Sequence, residues 1–333
     1  MSAPRRRAIL ILSLCPPVLF LIALLLGRYG VRPDEAFTAL LGFDGASETL
    51  RSLILRVRLP RALSAACVGA NLAVCGAAFQ GLFRNPLVDS RILGVSSGAA
   101  FGAAIALLFS ASAAAVQGSA FAFALVAVGL VSLVGWRFGS STLVIVIGGI
   151  LISALFNALL GLIKYVADPL SNLPAITYWL LGGLSGSRWT ILPPLLVITA
   201  LGLAFFALLR WRMNLLTLPD AEASALGVRI RPLRIVVIAV GTVLVAASVA
   251  VAGMVGWIGL VVPHVARACV GPDHRALIPA SAAIGASSLL ILDTIARTAL
   301  PSEIPLGILT GLIGVPVFFV LFLRFLRTRG AAQ

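Results

Sequence analysis

The sequence predicts an all-α protein that crosses a membrane many times. Of its 333 residues, 60% are hydrophobic and only 11% are charged, whereas a soluble domain has roughly 25% charged residues. The mean hydropathy is +1.11. The apolar residues form runs of about 20, the length that an α-helix needs to span the hydrocarbon core of a bilayer. These observations exclude most classes of soluble enzyme.

Ten apolar runs are candidate membrane spans. The shortest of them is rich in glycine and follows its predecessor almost without a loop. An even number of spans places both termini on the same side of the membrane. The ten spans are 9–27, 62–81, 92–109, 120–136, 142–163, 191–209, 235–252, 253–267, 276–296 and 305–323.

The basic residues indicate which side faces the cytoplasm. With the N-terminus inside, the inner segments hold 16 basic and 4 acidic residues, net +12, and the outer segments hold 9 and 7, net +2; together they account for the +14 of the chain. Basic residues concentrate in cytoplasmic loops, so both termini are predicted to be cytoplasmic. The same bias explains the net charge without nucleic-acid binding, because no basic, aromatic-rich domain accompanies it.

The segment 58–98 is expected to organise the rest of the chain. Its apolar part consists mainly of Ala, Gly, Val and Cys, where a lipid-facing helix carries larger side chains. Small residues let helix backbones approach closely inside a bundle. We therefore expect this hairpin to pack against protein and to lie near the functional centre.

Two loops carry charge patterns that call for an explanation. The outer loop 28–61 ends with Arg51, Arg56, Arg58 and Arg61, although basic residues are usually rare outside. We therefore expect these arginines to have a function there.

The inner loop 210–234 is predicted to contain a short helix over 219–227. Pro219, Asp220 and Glu222 suit a first helical turn, and Gly227 suits the position after the last turn. Such a helix in a basic loop suggests a docking element, and an ordinary connector is the alternative.

Two further segments near the outer face are candidates for half-helices. They are 173–184 and 301–307, and such helix termini are tolerated at membrane depth where they line a cavity. Spans 2–5 and 7–10 would run in opposite senses. The pattern therefore predicts an internal inverted repeat, which is common in transporters.

Few residues could carry chemistry. The sequence contains no HExxH or CxxC motif, and its one lysine, Lys164, is not part of a phosphate-binding loop. The four cysteines are interpreted as apolar packing residues. Asp293 and Arg297 are the ionisable residues inside a span, and their spacing of four predicts a local ion pair. The sequence thus predicts a protein that is not an enzyme and has no cofactor or metal, so ATP-driven work would need a partner.

Several ordered motifs resemble the FecCD-type permease family, the membrane subunits of ABC importers for ferric siderophores, haem and vitamin B12. They are RLPR at 58–61, GANLAVCGAAFQGLFRNPL at 69–87, ILGVSSGAAFG at 92–102, GMVGWIGLVVPHVAR at 253–267, GPDHRALIPASAAIGA at 271–286, and DTIAR with EIPLGILTGLIGVPVFF over 293–319. The residues taken as structural markers of these motifs are Gln80, Asn85, Pro86, Pro263 and His264. From its position alone, His264 is expected to cap or hydrogen-bond at a helix end.

The resemblance implies a single permease domain over 1–333, with the coupling loop 210–234 between spans 6 and 7. It implies ten helices per subunit and a homodimer with a translocation path at the two-fold axis. It also implies two cytoplasmic ATP-binding subunits and an external substrate-binding protein, in the inner membrane of a bacterium. The cargo would be a ferric siderophore, haem or a corrinoid.

The resemblance also implies three sets of site residues. Arginines at the outer face would accept acidic residues of the binding protein, a helix in the inner loop would contact the ATPase, and small polar residues before span 5 would form a cytoplasmic gate. The docking residues are Arg58, Arg61 and Arg297; the coupling residues are Pro219, Asp220, Glu222, Ala225, Leu226 and Gly227; the gate residues are Ser140, Ser141 and Thr142.

The segment 167–186 resembles a branch of the family that includes molybdate and tungstate permeases. An oxyanion importer is therefore an alternative within the same class. A secondary carrier driven by an ion gradient is the alternative from a different class, although so few membrane-embedded acids argue against it. A membrane enzyme is a third alternative, with no catalytic constellation to support it.

Overall fold

The computed structural model describes residues 3–41, 47–89, 91–138, 142–227 and 229–330, and in these ranges it is helical without β-strands. The predicted all-α fold is therefore confirmed. A π-helical segment, Leu53–Arg58, joins α3 to α4. The helices are α1 (Ala3–Leu25), α2 (Pro33–Leu41), α3 (Glu48–Ser52), α4 (Leu59–Leu82), α5 (Val95–Leu108), α6 (Ala113–Phe138), α7 (Thr142–Val166), α8 (Asn172–Leu181), α9 (Leu192–Leu216), α10 (Asp220–Ala225), α11 (Ile230–Ala252), α12 (Ile258–Val270), α13 (His274–Thr298) and α14 (Leu306–Gly330).

Each predicted span coincides with one apolar helix. Six helices in the described ranges are long and apolar enough to cross a membrane, and four shorter apolar helices occupy the remaining predicted spans. The shorter ones are the apolar part of α1, α5, α12 and the apolar part of α14. The chain is accordingly a multi-pass membrane protein.

The outer loop 28–61 is more ordered than the sequence suggested. It contains α2, and the continuous helical stretch Glu48–Leu82 runs from α3 into α4. Ser47 begins this stretch, because its Oγ accepts a hydrogen bond from the backbone N of Leu50 at 3.2 Å. The outer arginines therefore lie along a helix rather than in a loop.

The predicted span 253–267 begins five residues later than expected, at Ile258. Gly253 and Trp257 have φ angles of 65° and 66°, so the right-handed helix cannot run through them. A Cβ on Gly253 would lie 2.5 Å from the carbonyl oxygen of Trp179, which leaves no room for another residue type. This break separates α11 from α12.

Helix α4 is the central helix of the bundle, and nearly all its residues are buried. It packs against α12 and α13 through glycines on both sides of each contact. A Cβ on Gly76 would lie 1.8 Å from the carbonyl oxygen of Gly259, and one on Gly69 would lie 2.2 Å from that of Gly285. The predicted close packing of this small-residue segment is confirmed.

Helix contacts support the predicted inverted repeat of spans 2–5 (α4–α7) with spans 7–10 (α11–α14). Helix α4 contacts α12 and α13, and α11 makes the equivalent contacts with α5 and α6. Helices α5, α6 and α7 contact one another, as do α12, α13 and α14. The short helices α5 and α12 are both preceded by a left-handed residue, Gly94 and Trp257.

One of the two predicted half-helices is present. Helix α8 has ten residues, a length of about 15 Å, which is too short to cross the membrane. The prediction of a second half-helix over 301–307 is wrong, because residues 301–305 are irregular. Pro305 has no N–H to donate and disfavours helical geometry in the residue before it.

The end of α8 lies beside the end of α11 and the start of α14. Gly182, which follows α8, accepts a hydrogen bond from the backbone N of Leu306 at 2.9 Å, and Gly183 N donates to the carbonyl oxygen of Ala252 at 2.9 Å. Helix α8 thus connects the end of α11 to the start of α14.

Candidate docking and coupling sites

Arg61, in the first turn of α4, joins two acidic residues from the second half of the chain. Its Nε lies 2.9 Å and its Nη2 2.8 Å from Oδ1 of Asp293. Its Nη2 and Nη1 also donate to the Glu303 carboxylate, at 2.6 and 3.0 Å. Arg61 is 9% exposed and Asp293 2% exposed. This bidentate arrangement ties α4 to α13 and to the segment before α14.

Arg297 adds a second positive charge to the same cluster. Its Nε lies 3.5 Å from Oδ2 of Asp293, one helical turn earlier. This confirms the predicted ion pair between these two residues. Nη2 of Arg297 also donates to the carbonyl oxygen of Ala23 in α1, so the cluster reaches the first helix as well.

Arg58 stabilises the end of α1. Its guanidinium donates to the carbonyl oxygens of Leu24 at 2.7 Å, Leu25 at 2.8 Å and Tyr29 at 2.6 Å. The last carbonyls of a helix have no partner within the helix, and a cation there interacts favourably with the helix dipole. Arg58 is only 4% exposed.

The three predicted docking arginines are already engaged in contacts within the chain. Arg58, Arg61 and Arg297 occupy one end of the bundle, as expected, but each already binds groups of its own chain. By contrast, Arg51 and Arg56 on the same helical stretch are exposed. Arg51 and Arg56 are therefore better placed to meet a partner, and the docking role of the other three remains a prediction.

Gln80 and Asn85 order the turn that follows α4. Nε2 of Gln80 donates to the carbonyl oxygens of Val88 at 3.1 Å and Leu260 at 3.3 Å. Its Oε1 accepts from Nη2 of Arg267 at 2.6 Å. Oδ1 of Asn85 accepts from the backbone N of Leu87 at 2.9 Å, as in an Asx turn.

His264 connects the same turn to α12. Its Nε2 lies 2.8 Å from the carbonyl oxygen of Pro86, to which it donates. The predicted hydrogen-bonding role of His264 is therefore confirmed, although the residue lies in the middle of α12 and next to Pro263. Four of the five motif markers thus meet around one turn.

Helix α10 is attached by two arginines through Asp220. Nη2 of Arg84 donates to Oδ1 of Asp220, and Nη2 of Arg234 lies 3.1 and 3.3 Å from its two carboxylate oxygens. These arginines hold the pKa of Asp220 below its usual value, with the hydrogen bond from Arg84 as the largest cause. Arg84 follows α4 and Arg234 lies in α11, so Asp220 joins these two helices.

The predicted short helix in the inner loop is confirmed. Ala223 N donates to the carbonyl oxygen of Pro219 at 3.0 Å, and Gly227 has the positive φ, 78°, of a residue that follows a helix. Ala223 is buried, whereas Glu222, Ala225 and Leu226 are exposed. One face of α10 therefore packs on the bundle and the other is available to a partner.

A second polar cluster lies between α9 and α13. Asp273 caps α13 by accepting from Arg275 N at 2.9 Å, and it also accepts from Nδ2 of Asn214 at 2.8 Å. Arg275 and Asn214 hold the pKa of Asp273 well below its usual value. His274 lies beside this cluster, with Nδ1 3.0 Å from Oδ1 of Asn214.

Of the three predicted gate residues, one lies within the described part of the chain. Ser140 and Ser141 lie outside the described residues, and Thr142 is the first residue of α7. Across the described ranges, no group of three or more His, Cys, Asp or Glu side chains could hold a metal ion.

The sequence alone does not predict several residues of these clusters. Glu303 lies within the motif EIPLGIL but has no predicted role, and the sequence predicts Arg84 and Arg234 only to be inner basic residues. Acidic residues are rare here, 11 in 333. Each of them was therefore a candidate partner for a buried arginine, and that signal could have pointed to Glu303 and Asp220.

Comparisons with known proteins identify the family. The sequence matches the FecCD transport family over residues 14–324. The molybdate import system permease protein MolB of Haemophilus influenzae is 40% identical over 320 residues, which cover 95% of each chain. The hemin transport system permease protein HmuU of Yersinia pestis is 38% identical, covering 92% of this chain and 94% of the relative. The vitamin B12 import system permease protein BtuC of Escherichia coli O157:H7 is 36% identical, covering 93% and 94%.

Solved structures agree with this assignment. A chain described as a metal-chelate type ABC transporter in an inward-facing conformation superposes with a TM-score of 0.88 at 38% identity, covering 96% of this chain and 99% of the other. PsaBC from Streptococcus pneumoniae, in complex with Fab, has a TM-score of 0.58 at 18% identity, covering 83% and 94%, and shares the fold. The chain therefore belongs to the FecCD transport family and is a membrane-spanning permease of the ABC importer type.

Proposed function

We propose that this chain is the membrane subunit through which an ATP-driven importer passes its cargo into the cytoplasm. Two copies would form the path at their two-fold axis, two cytoplasmic subunits would hydrolyse ATP, and an external binding protein would deliver the cargo. The termini would be cytoplasmic, in the inner membrane of a bacterium. The observation that supports this proposal most directly is the attachment of α10 to the bundle through the ion pairs of Asp220.

Helix α10 is suited to transmit movement from an ATPase. Through Asp220 it is held by Arg84, at the end of α4, and by Arg234 in α11. These are the leading helices of the two repeats. A displacement of α10 would therefore reach both halves of the bundle, while its exposed residues Glu222 and Leu226 would contact the partner.

Helix α7 is the element that we propose faces the path and the second copy. Only 22% of its most apolar part is buried within the chain. One exposed stripe of the helix contains Ala154, Asn157, Ala158 and Gly161. Small and polar residues are typical of helix interfaces in membranes, and an amide facing lipid would lack partners. Of the proposed gate residues, Ser140 and Ser141 precede this helix in the sequence and Thr142 is its first residue.

The cargo class that we favour is a tetrahedral oxyanion such as molybdate or tungstate. The likeness to the molybdate permease extends over 95% of both chains at 40% identity, and segment 167–186 pointed the same way. A ferric siderophore, haem or a corrinoid is the second candidate, supported by the hemin and vitamin B12 relatives.

Docking of the binding protein is proposed to use Arg51 and Arg56 directly. Arg58, Arg61 and Arg297 would act indirectly, because they position this helical stretch against α1, α13 and Glu303. Trp189 also contacts this stretch, because its Nε1 donates to the carbonyl oxygen of Leu55 at 2.7 Å.

Purification from the native membrane in mild detergent tests the function as a whole. We expect an ATP-binding subunit and an external binding protein to copurify, and we expect the complex in proteoliposomes to take up labelled molybdate only when ATP is inside with the ATPase. Competition by haemin or a ferric siderophore, rather than tungstate, would select the second cargo class. Uptake driven by an ion gradient without ATP would replace the proposal with the secondary carrier.

Reversing the exposed arginines tests docking. We expect Arg51→Glu with Arg56→Glu to weaken binding-protein affinity by about tenfold or more, because two rim charges would then repel an acidic partner. The loss should shrink at high salt, and the melting temperature should stay unchanged. The matched control is Arg210→Glu with Arg212→Glu at the opposite end of the bundle. Unchanged docking in the Arg51 and Arg56 variant would contradict this role.

Removing Arg61 tests the buried network. We expect Arg61→Met to destabilise the protein by roughly 3–5 kcal/mol, because Asp293 would keep a buried charge without its main partner. Thermal unfolding in detergent measures this loss. Adding Asp293→Asn and Glu303→Gln should restore part of the stability, whereas Arg32→Met, in an exposed ion pair, should have little effect. An unchanged melting temperature for Arg61→Met would show that the network is dispensable.

Neutralising Asp220 tests coupling. We expect Asp220→Asn to speed amide exchange in 220–226 and to lower cargo-stimulated ATPase activity, with Asp34→Asn, in an exposed ion pair away from α10, as the control. The pKa of Asp220 is lowered in the folded state. Its stabilising contribution is therefore complete above its ordinary value of about 3.9 and fades only at lower pH. Amide exchange in residues 220–226 of the wild type should accordingly stay slow throughout pH 5–8. Rapid exchange in that range would argue against the attachment of α10 through Asp220.

A further inference from the structure

An apolar groove of about 330 Å³ lies between α6 and α11 and reaches the start of α7. Its walls include Val131, Ile145, Ile235 and Ile238. Ile235 is 56% exposed, so the groove opens to the outside of the described bundle. The proposed function uses α7, α10 and the outer arginines and leaves this groove without a role.

One end of the groove is positively charged and the rest is not. Arg231 and Arg234 line it in the first turns of α11, where the free backbone N–H groups of a helix N-terminus also favour an anion. Arg229 and Arg137 are exposed near the same helix ends. Of these arginines, Arg234 is paired with an acid, Asp220, which also binds Arg84.

The length of the groove fits one leaflet of a bilayer. Its lining on α11 extends from Arg231 to Val243, which is about 18 Å along a helix axis. Half of the hydrocarbon core is roughly 15 Å thick. Trp136, which is 72% exposed and lines the groove, is a residue type enriched at the membrane–water interface.

We propose that this groove binds an anionic phospholipid of the cytoplasmic leaflet. The phosphate would lie at Arg231 and Arg234, and an acyl chain would follow the apolar wall between α6 and α11. Basic pockets between transmembrane helices on the cytoplasmic side bind anionic headgroups in this way. The inference rests on the membrane orientation given under the proposed function.

The bound headgroup would lie next to the attachment of α10. Arg234 contributes to the groove and also holds Asp220 of α10, at 3.1 Å. An anionic lipid at this arginine would therefore alter the electrostatic environment of the element that we propose couples ATP hydrolysis to transport. Lipid composition would then regulate coupling without contacting the cargo path.

Native mass spectrometry of the purified complex tests the site, with phosphatidylglycerol and phosphatidylcholine as the added probes. We expect wild type to retain phosphatidylglycerol preferentially. Arg231→Gln should weaken that retention by about fivefold, the effect of one arginine at a membrane surface, and Ala239→Phe should abolish it by filling the groove. Both residues are exposed, so both variants should fold. The matched controls are Arg210→Gln on α9 and Val236→Phe on α11, which do not line the groove.

Three results would overturn the proposal. They are equal retention of the two lipids by wild type, an equal loss in Arg231→Gln and Arg210→Gln, and a disulfide between two copies formed by Ala239→Cys, which would show that a second copy covers the groove. ATP-dependent uptake by the same preparation separates the two proposals. Uptake without lipid selectivity rejects the lipid site alone, whereas lipid selectivity without uptake rejects the transport function alone.

Discussion

The close approach of α4 to α12 and α13 is the constraint on which the rest of the structure depends. Within a bilayer, lipid tails are as apolar as the side chains, so helices associate through close packing rather than through the hydrophobic effect. Gly76 against Gly259 and Gly69 against Gly285 bring the backbones within a distance that no Cβ could share. Because α12 and α13 belong to the second repeat and α4 to the first, these contacts hold the two repeats together.

The charged clusters lie at the two ends of the same helix. Arg61 at the start of α4 binds Asp293 and Glu303, and Arg84 just after its end binds Asp220. Burying an unpaired charge is costly, and a pair needs good geometry to compensate for lost hydration. Every acid in these clusters comes from the second half of the chain. The arginines therefore help to fix the position of α4 relative to the second half of the chain, in addition to the apolar packing.

The sequence was sufficient for features that depend on local composition. The spans follow from apolar runs of helical length, and the short helix at 219–227 follows from Pro219, two acids and Gly227. It was insufficient where the deciding partner is remote. Arg61 has the pattern of a free outer charge because its partner Asp293 lies 232 positions away, and Arg58 has the same pattern because its partners are backbone carbonyls at the end of α1. The stretch 48–58 is too polar to be recognised as part of a span, so the sequence predicts a loop there, although the stretch is helical and continues directly into α4.

Asp220 shows how a small surface element can act on a rigid bundle. It is bound by the end of α4 and by the start of α11, the first helices of the two repeats. Because α4 is closely packed against α12 at Gly76 and against α13 at Gly69, it has little room to absorb a displacement at that end by bending. Movement of α10 would therefore shift α4 as a unit and carry Arg61 with it, together with Asp293 and Glu303. By this route an event at the proposed ATPase surface reaches the proposed docking surface without any residue reacting with the cargo.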